Sequence, residues 1–188
     1  MQVTIERTRI DDVIIIKPEL YKDDRGFFTE IYRSDQYKEL GLPSAFEQFN
    51  HSGSVKNTVR GLHFQWEPPM GKLMRVTRGT AFLVAVDIRK TSPTLGMHIG
   101  ITLTADEPCQ IWAPAGFARG FAVISDYAEI QYLTTGVYNA KAESGILWND
   151  PALGIEWPVN TPILSVKDTQ AQTLEQWLTK PESNNFPF

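Results

Sequence analysis

A histidine and a tyrosine on two predicted strands are the side chains of this sequence best suited to proton transfer. His63 lies within residues 60–65, and Tyr132 lies within residues 129–134. An imidazole changes charge near neutral pH, and both side chains can act as general acids or bases. Because strand side chains alternate between faces, His63 points away from its two apolar neighbours. A lone histidine is also often structural or exposed, so the residues alone leave both interpretations open.

Short β-branched or aromatic runs recur along the chain and predict the elements that hold these two residues. Turn residues separate many of the runs, which is typical of an antiparallel sandwich or barrel and not of alternating strands and helices. A small closed barrel can enclose one small ligand, so His63 and Tyr132 are candidates to share a polar cavity. The predicted strands cover residues 13–16, 26–32, 59–65, 73–77, 81–88, 97–104, 110–113, 120–124 and 129–134.

Only two segments carry helix signals, and both are peripheral to the predicted strands. Residues 34–41 begin with Ser34 as a candidate N-cap and end at Gly41, while residues 169–179 predict a second helix. Asp168 directly precedes that second segment. It therefore fits a turn residue or a helix N-cap as well as it fits a functional carboxylate. The expected fold class is all-β with a few short helices.

The scarcity of histidine and cysteine limits the possible metal and redox chemistry. The histidines are at positions 51, 63 and 98, with no second histidine close to any of them, so we expect no metal site. Cys109 is the only cysteine, which excludes an intrachain disulfide and favours a reducing, cytoplasmic setting. The sequence also lacks a glycine-rich phosphate loop, a nucleophile elbow and a dinucleotide fingerprint.

Length and charge point to one domain that binds neither nucleic acid nor membrane. The 188 residues fit a single domain over 1–188, with an irregular C-terminal tail from about residue 181. There are 18 Lys and Arg against 22 Asp and Glu, a net charge of −4, so no bulk positive field exists. We also expect no export signal and no membrane span. An anionic ligand would have to be held by locally placed cations.

Nine short motifs, in order from residue 24 to residue 168, together resemble the dTDP-4-dehydrorhamnose 3,5-epimerase family. Each motif is weak alone, but their order over most of the chain is specific. They are DRGFFTE at 24–30, QFN at 48–50, VRGLHFQ at 59–65, GKL at 71–73, VDIR at 86–89, SPTLG at 92–96, PAGFARGF at 114–121, GILWNDP at 145–151 and LSVKD at 164–168.

The resemblance implies a cupin-type jelly roll that forms a homodimer and uses no metal or organic cofactor. The implied substrate is a nucleotide-diphosphate 4-keto-6-deoxy hexose, which the family epimerises at C3 and C5 in deoxysugar biosynthesis for polysaccharides. In this resemblance His63 is the base, Asp168 orients it, and Tyr132 is the acid on the opposite face of the sugar ring.

The resemblance also implies a set of substrate contacts, some of which come from the partner subunit in family members. Carried over to this sequence, these contacts are Arg60 and Lys72 at the sugar carbonyl and neighbouring oxygens, Arg25 and Gln48 at the diphosphate, Phe28 stacked on the nucleobase, and Glu30 and Asn50 near the nucleoside or sugar.

One position departs from the family pattern. Arg119 stands where better-known members have a second histidine in the sugar pocket, and arginine is longer and permanently charged. We hypothesise that Arg119 biases the reaction toward one carbon or a variant sugar. The alternatives are therefore a single-carbon 3- or 5-epimerase, an isomerase that moves the keto group, and a sugar-binding cupin without turnover.

Overall fold

Two antiparallel sheets, which share one apolar core, form the body of the chain. The computed structural model describes residues 2–186. The first sheet has the order β1-β2-β10-β7-β12-β5 and the second has the order β13-β6-β11-β8-β9. The first contains β1 (Val3–Arg7), β2 (Ile14–Pro18), β5 (Gln48–Val55), β7 (Lys72–Arg78), β10 (Gln110–Ala113) and β12 (Tyr127–Thr134). The second contains β6 (Val59–Gln65), β8 (Thr80–Asp87), β9 (His98–Thr104), β11 (Phe117–Val123) and β13 (Glu143–Gly145).

A separate hairpin, β3 (Leu20–Asp23) and β4 (Gly26–Thr29), completes the strands. All the named strand pairs are antiparallel. Each of the nine predicted runs overlaps a strand, and the runs at 59–65 and 110–113 coincide with β6 and β10. The predicted all-β, antiparallel architecture is therefore confirmed.

The helices are short and differ from the predicted ones in detail. α1 (Ser34–Glu39) is capped at Arg33 without a side-chain hydrogen bond, so the prediction of Ser34 as the N-cap was wrong. The single helix predicted at 169–179 is instead two helices, α2 (Val166–Thr169) and α3 (Leu174–Leu178). Ser165 and Thr173 each cap one of them, which restarts the helix after a break. None of the helices within residues 2–186 is long and apolar enough to cross a bilayer.

The described part of the predicted irregular tail is ordered. Residues Pro181–Asn185 form a 3-10 helix, and Phe186 is 4% exposed. The Phe186 ring packs against Phe64 and Trp177, in an apolar cluster on the outer face of the second sheet. Residues 187 and 188 lie outside the described part of the chain. The C-terminal segment is thus attached to the sheet that carries His63.

Strand β6 has an apolar face and a polar face, as its sequence predicts. Leu62 and Phe64 are buried in the outer cluster beneath α3, so His63 points to the opposite face, between the two sheets. On β12, in the other sheet, Ile130 belongs to the core between the sheets, and Tyr132 packs against that core from the same face. His63 and Tyr132 therefore face each other from different sheets.

An extra residue in β6 brings Arg60 to the same face as His63. The pairing with β11 matches Arg119 to His63 and Phe121 to Arg60, so three steps on β6 oppose two on β11. This bulge reverses the alternation between the two positions. Gly61 lies within it, with φ of +118°, and a Cβ atom there would lie 2.6 Å from the carbonyl oxygen of Arg119.

We expect Gly61→Ala to lower the free energy of unfolding by about 3 kcal/mol, because it adds a steric contact to an unfavourable backbone conformation. Gly26→Ala is the matched control, since Gly26 has φ of +131° and a Cβ atom added there would meet nothing within 4 Å. The control should cost only about 1 kcal/mol. Chemical denaturation measures both values, and equal losses would contradict the proposed close packing of β6 on β11.

Candidate active site

A cavity of about 230 Å³ lies between the two sheets, and His63 and Tyr132 line it from opposite sides. Its walls come from β6 and β11 in one sheet and from β7, β12 and β5 in the other. A ligand in this cavity would have an imidazole on one side and a phenol on the other. The remaining lining residues are Ser52, Arg60, Lys72, Met74, Arg119, Gly120 and Phe121.

His63 is held by a carboxylate from the C-terminal segment. The Nε2 atom of His63 lies 2.5 Å from Oδ1 of Asp168, and an ionised carboxylate can only accept, so Nε2–H is the donor. The other oxygen, Oδ2, accepts from the Ser165 hydroxyl at 2.8 Å. This arrangement fixes the ring orientation of His63 and leaves its Nδ1 free to take up a proton.

The position of Asp168 resolves the alternatives left open by the sequence. Asp168 lies inside α2 and is 4% exposed, while Ser165 caps the helix by accepting from the Asp168 backbone N–H. Burial raises the pKa of the Asp168 carboxyl, but its hydrogen bonds with His63 and Ser165 outweigh burial and leave the pKa below its usual value. Asp168 is therefore ionised at neutral pH and can stabilise a protonated His63.

Tyr132 forms part of the cavity wall opposite His63. Burial raises the pKa of its hydroxyl, and the charge of Arg60 opposes this only in part. The phenol is therefore protonated at neutral pH. The ammonium of Lys72 lies 5.9 Å from the centre of the Tyr132 ring, so the two residues share one wall of the cavity.

Three cations converge on the cavity, although the whole chain has a net charge of −4. Arg60 donates to the Ser54 hydroxyl at 3.0 Å, and Arg119 is 3% exposed. Burial and the charge of Arg119 lower the pKa of Lys72 to about 8, so its ammonium is mostly protonated at pH 7. No carboxylate lines this cavity in the described part of the chain. The cavity therefore favours a ligand that carries or develops negative charge.

Two of the predicted nucleotide contacts extend this cavity along β5. Gln48 donates to the Asn50 side chain at 2.8 Å, and Asn50 pairs with Tyr132 across the neighbouring strands. Both residues have the same strand parity as Ser52, which lines the cavity. They lie on the same face of β5, the edge strand of the first sheet, but beyond the residues that line the cavity.

Three other predicted contacts do not line this cavity. Arg25 and Phe28 lie on the β3–β4 hairpin, where the Arg25 side chain is 90% exposed and ion-paired with Asp23, and Phe28 is 61% exposed. Glu30, just beyond the hairpin, forms an ion pair with Arg33 at 3.5 Å. Arg60, Lys72 and Arg119 therefore share the cavity, whereas Arg25 lies outside it.

A polar group beside His63 was not predicted from the sequence. A second cavity, of about 510 Å³, shares His63 with the first one and is also lined by Asp168. In it, Oε1 of Glu143 accepts from the Tyr138 hydroxyl at 2.6 Å and from the Lys167 ammonium at 2.5 Å. Lys167 stands inside the LSVKD motif, which was the available signal, whereas Glu143 precedes the GILWNDP motif and Tyr138 belongs to none.

No group of three or more His, Cys, Asp and Glu side chains within residues 2–186 could hold a metal ion. Among the side chains that line the cavity, His63 and Tyr132 can exchange protons.

The model of the dTDP-4-dehydrorhamnose 3,5-epimerase family matches residues 7–176. The chain belongs to this family. A relative from Salmonella typhimurium with that same description is 50% identical over 175 residues, which cover 92% of this chain and 96% of the relative. A relative from Streptomyces niveus, described as a dTDP-4-dehydrorhamnose 3-epimerase, is 39% identical over 169 residues, covering 89% and 82% of the two chains.

The solved structures give the same result for the fold. The crystal structure of a dTDP-6-deoxy-D-glucose-3,5-epimerase from Legionella pneumophila, in complex with dTDP-4-keto-L-rhamnose, is similar with a TM-score of 0.91 and 40% identity. The match covers 99% of this chain and 98% of that chain. The predictions of a cupin-type jelly roll and of an epimerase of this family are confirmed.

We expect Asp168→Asn to lower the turnover of the epimerase by roughly a hundredfold or more, because a neutral amide neither selects the His63 tautomer nor stabilises its charged form. Ser165→Ala is the control, since it removes the two hydrogen bonds between Ser165 and Asp168, including the cap of α2, but keeps the carboxylate that contacts His63. Steady-state kinetics, with circular dichroism to verify folding, make the comparison. Similar losses in both variants would argue against an orienting role for Asp168.

Proposed function

We propose that this chain inverts C3, C5 or both carbons of a nucleotide-linked 4-keto-6-deoxy hexose, with His63 as the base and Tyr132 as the acid. One observation carries the proposal: the His63–Asp168 pair and Tyr132 face each other across one cavity whose charged side chains, apart from His63, are all cations. The dTDP-4-keto-L-rhamnose bound by the relative from Legionella pneumophila is a sugar of this class. The dTDP-linked 4-keto sugar is therefore the first substrate to test.

The chemistry follows from the ketone at C4. A proton on C3 or C5 is acidic because the electron pair of the broken C–H bond delocalises onto the carbonyl oxygen as an enolate. His63 takes that proton on one face of the ring, and Tyr132 returns a proton to the same carbon on the other face. The enolate electron pair forms the new C–H bond, so the carbon is inverted with no net oxidation or reduction.

The cations that line the cavity lower the free energy of the enolate. Negative charge on the carbonyl oxygen develops only during the reaction, and donors fixed before the reaction stabilise it most effectively. We assign this role to Lys72 and Arg60, because both line the cavity between the proposed base and acid. Gln48 and Asn50, at the sheet edge, are assigned to the nucleotide part of the substrate.

We propose that the chain is a homodimer and that the β3–β4 hairpin completes the partner's site. Phe27 and Phe28 are 67% and 61% exposed, which is unusual for two adjacent large apolar side chains, and among the described residues the Arg25 side chain bonds only to Asp23, two positions away. A partner subunit would cover these rings. In that arrangement Arg25 binds the diphosphate, Phe28 stacks on the nucleobase and Glu30 contacts the nucleoside.

A second candidate function is epimerisation at one carbon only. The relative from Streptomyces niveus is described as a 3-epimerase, so this family includes such an activity. Arg119 occupies the cavity next to His63 and is the residue we assign to this choice. A sugar-binding protein without turnover is less well supported, because binding alone would not need a base and an acid on opposed walls.

We also propose that the whole chain acts as one cytoplasmic domain. Its two sheets share a core, and the only cysteine, Cys109, is unpaired. The product would enter deoxysugar biosynthesis.

Solvent exchange tests the base and the acid separately. With dTDP-4-keto-6-deoxyglucose in D2O, the wild type should incorporate deuterium and invert the labelled carbons. His63→Asn should do neither, with a loss of about a hundredfold or more. Tyr132→Phe should still exchange, because His63 can return a deuteron to the face it deprotonates, but should no longer invert the carbon. NMR of the sugar protons distinguishes these outcomes.

The labelled positions also decide between the two enzymatic candidates. Label at both C3 and C5 supports a 3,5-epimerase, and label at one carbon supports the single-carbon alternative. Inversion retained in Tyr132→Phe would remove Tyr132 from the proposed acid role. Tight binding without exchange in the wild type would instead support a sugar-binding protein.

Mixed dimers test the proposed contribution of the hairpin. Arg25→Ala and His63→Asn should each be nearly inactive alone. Co-refolded in equal amounts, they should recover about a quarter of the wild-type activity, because half of the dimers contain one site with both intact residues. Sedimentation verifies the dimer. If Arg25 acted within its own subunit, the mixed dimers would contain no complete site and no activity would return.

A further inference from the structure

Arg119 is a buried cation that spans the floor of the cavity. It stands on β11 in the second sheet, and its Nη1 atom donates to the backbone carbonyl of Lys72, on β7 of the first sheet, at 3.3 Å. Its Nε atom donates to the carbonyl of Val84 at 3.3 Å, and Nη2 lies 3.4 Å from the sulfur of Met74. One side chain therefore connects three strands, at the level of the proposed catalytic groups.

The guanidinium has no charge partner among the residues that the structure describes. Its acceptors are two backbone carbonyls and a thioether, and it is 3% exposed. Burial lowers the pKa of Arg119 to about 9, which still leaves it charged at neutral pH. A buried charge without a counter-ion costs folding free energy. Because no carboxylate among the described residues neutralises it, the positive charge of Arg119 acts on the other groups in the cavity.

Lys72 is the ionisable neighbour most affected by this charge. Burial is the larger reason that its pKa falls to about 8, and Arg119 is the second. Lys167, on α2, acts in the same direction, and Glu143, on β13, opposes them. The other groups that line the cavity are Arg60 and His63 on β6 and Tyr132 on β12, and none of them is a carboxylate.

We propose that Arg119 is a positioning residue for Lys72: it fixes the β7 backbone at that position and holds a positive charge close to the Lys72 ammonium. The geometry supports both parts, because the Arg119 guanidinium donates to the Lys72 carbonyl and the Arg119 and Lys72 side chains both line the cavity. A less basic ammonium is a stronger hydrogen-bond donor toward an enolate oxygen. This inference rests on the proposed function, in which Lys72 faces the sugar carbonyl.

The proposed role of Lys72 predicts that turnover falls at alkaline pH. Lys72 has to be protonated to stabilise the enolate, and its pKa is below that of an ordinary lysine. Turnover should therefore be highest below pH 8 and should decline as the pH rises through about 8, where the ammonium loses its proton. Without the Arg119 charge, the same decline should occur at higher pH.

Titration of the lysine ammonium groups in the full-length protein tests this without substrate. The protein is labelled with 15N at lysine Nζ, Lys72→Arg identifies the signal, and the midpoint is compared in three proteins. Arg119→Gln keeps amide donors for the two carbonyls but removes the charge, so the Lys72 midpoint should rise by about half a pH unit or more. Arg119→Lys keeps a charge and should leave the midpoint closer to the wild-type value.

The alkaline limb of solvent exchange into the substrate, measured as turnover against pH, should move in the same direction and order. An unchanged Lys72 midpoint in Arg119→Gln, or equal shifts in both variants, would overturn the inference. If Arg119→Gln does not fold, Arg119→His replaces it, because histidine is uncharged at pH 8. A wild type that titrates as expected but exchanges nothing would count against the proposed function and not against the Arg119–Lys72 relation.

Discussion

The hydrogen bond between His63 and Asp168 is the interaction around which the site is organised. The two residues are 105 positions apart, so their contact requires the C-terminal segment to pack on the outside of β6. The aromatic cluster of Phe64, Trp177 and Phe186 provides that packing. Packing of the C-terminal segment on the apolar face of β6 thus places the Asp168 carboxylate beside the imidazole of His63, whose side chain is on the other face. A disturbance of the outer cluster would reach His63 through α2, which carries Asp168.

The positive charges that line the cavity favour a negatively charged ligand but lower the stability of the fold. Arg60, Lys72 and Arg119 meet in a space without a carboxylate, which costs folding free energy because like charges are held together and partly desolvated. The apolar core between the sheets offsets this cost. Most of its members come from alternate positions of facing strands, so the cavity is a local interruption in an otherwise continuous core. Such a site is prepared for an anion before the ligand arrives.

The residues proposed to contact the sugar share one cavity within a single chain, whereas several of those proposed to contact the nucleotide do not line it. His63, Tyr132 and Lys72 already stand around a common space, whereas Arg25 and Phe28 project from a hairpin into solvent. Exposed aromatic rings beside a paired arginine fit a surface that another subunit covers. In the proposed dimer, one subunit would then supply the groups for proton transfer, and the partner subunit would supply much of the nucleotide binding.

The sequence by itself determined the fold class and most of the strands, because apolar alternation and turn residues are local signals. It did not reveal β5, since Gln48–Val55 alternates polar residues on its inner face with exposed ones and resembles a loop. β1, β3 and β13 were also missed, because each is short and largely unburied. The motifs further indicated the family, and the resemblance to that family predicted roles for His63, Tyr132 and Asp168.

Tertiary structure alone decided how those residues meet. Asp168 was equally a cap or a turn residue until α2 placed its carboxylate on His63. Arg60 and His63 are three positions apart, and strict alternation would put them on opposite faces, but the bulge at Gly61 turns both inward. The contact of Arg119 with the Lys72 carbonyl joins strands from different sheets. These relations depend on distances between segments far apart in the chain, for which local sequence patterns carry no signal.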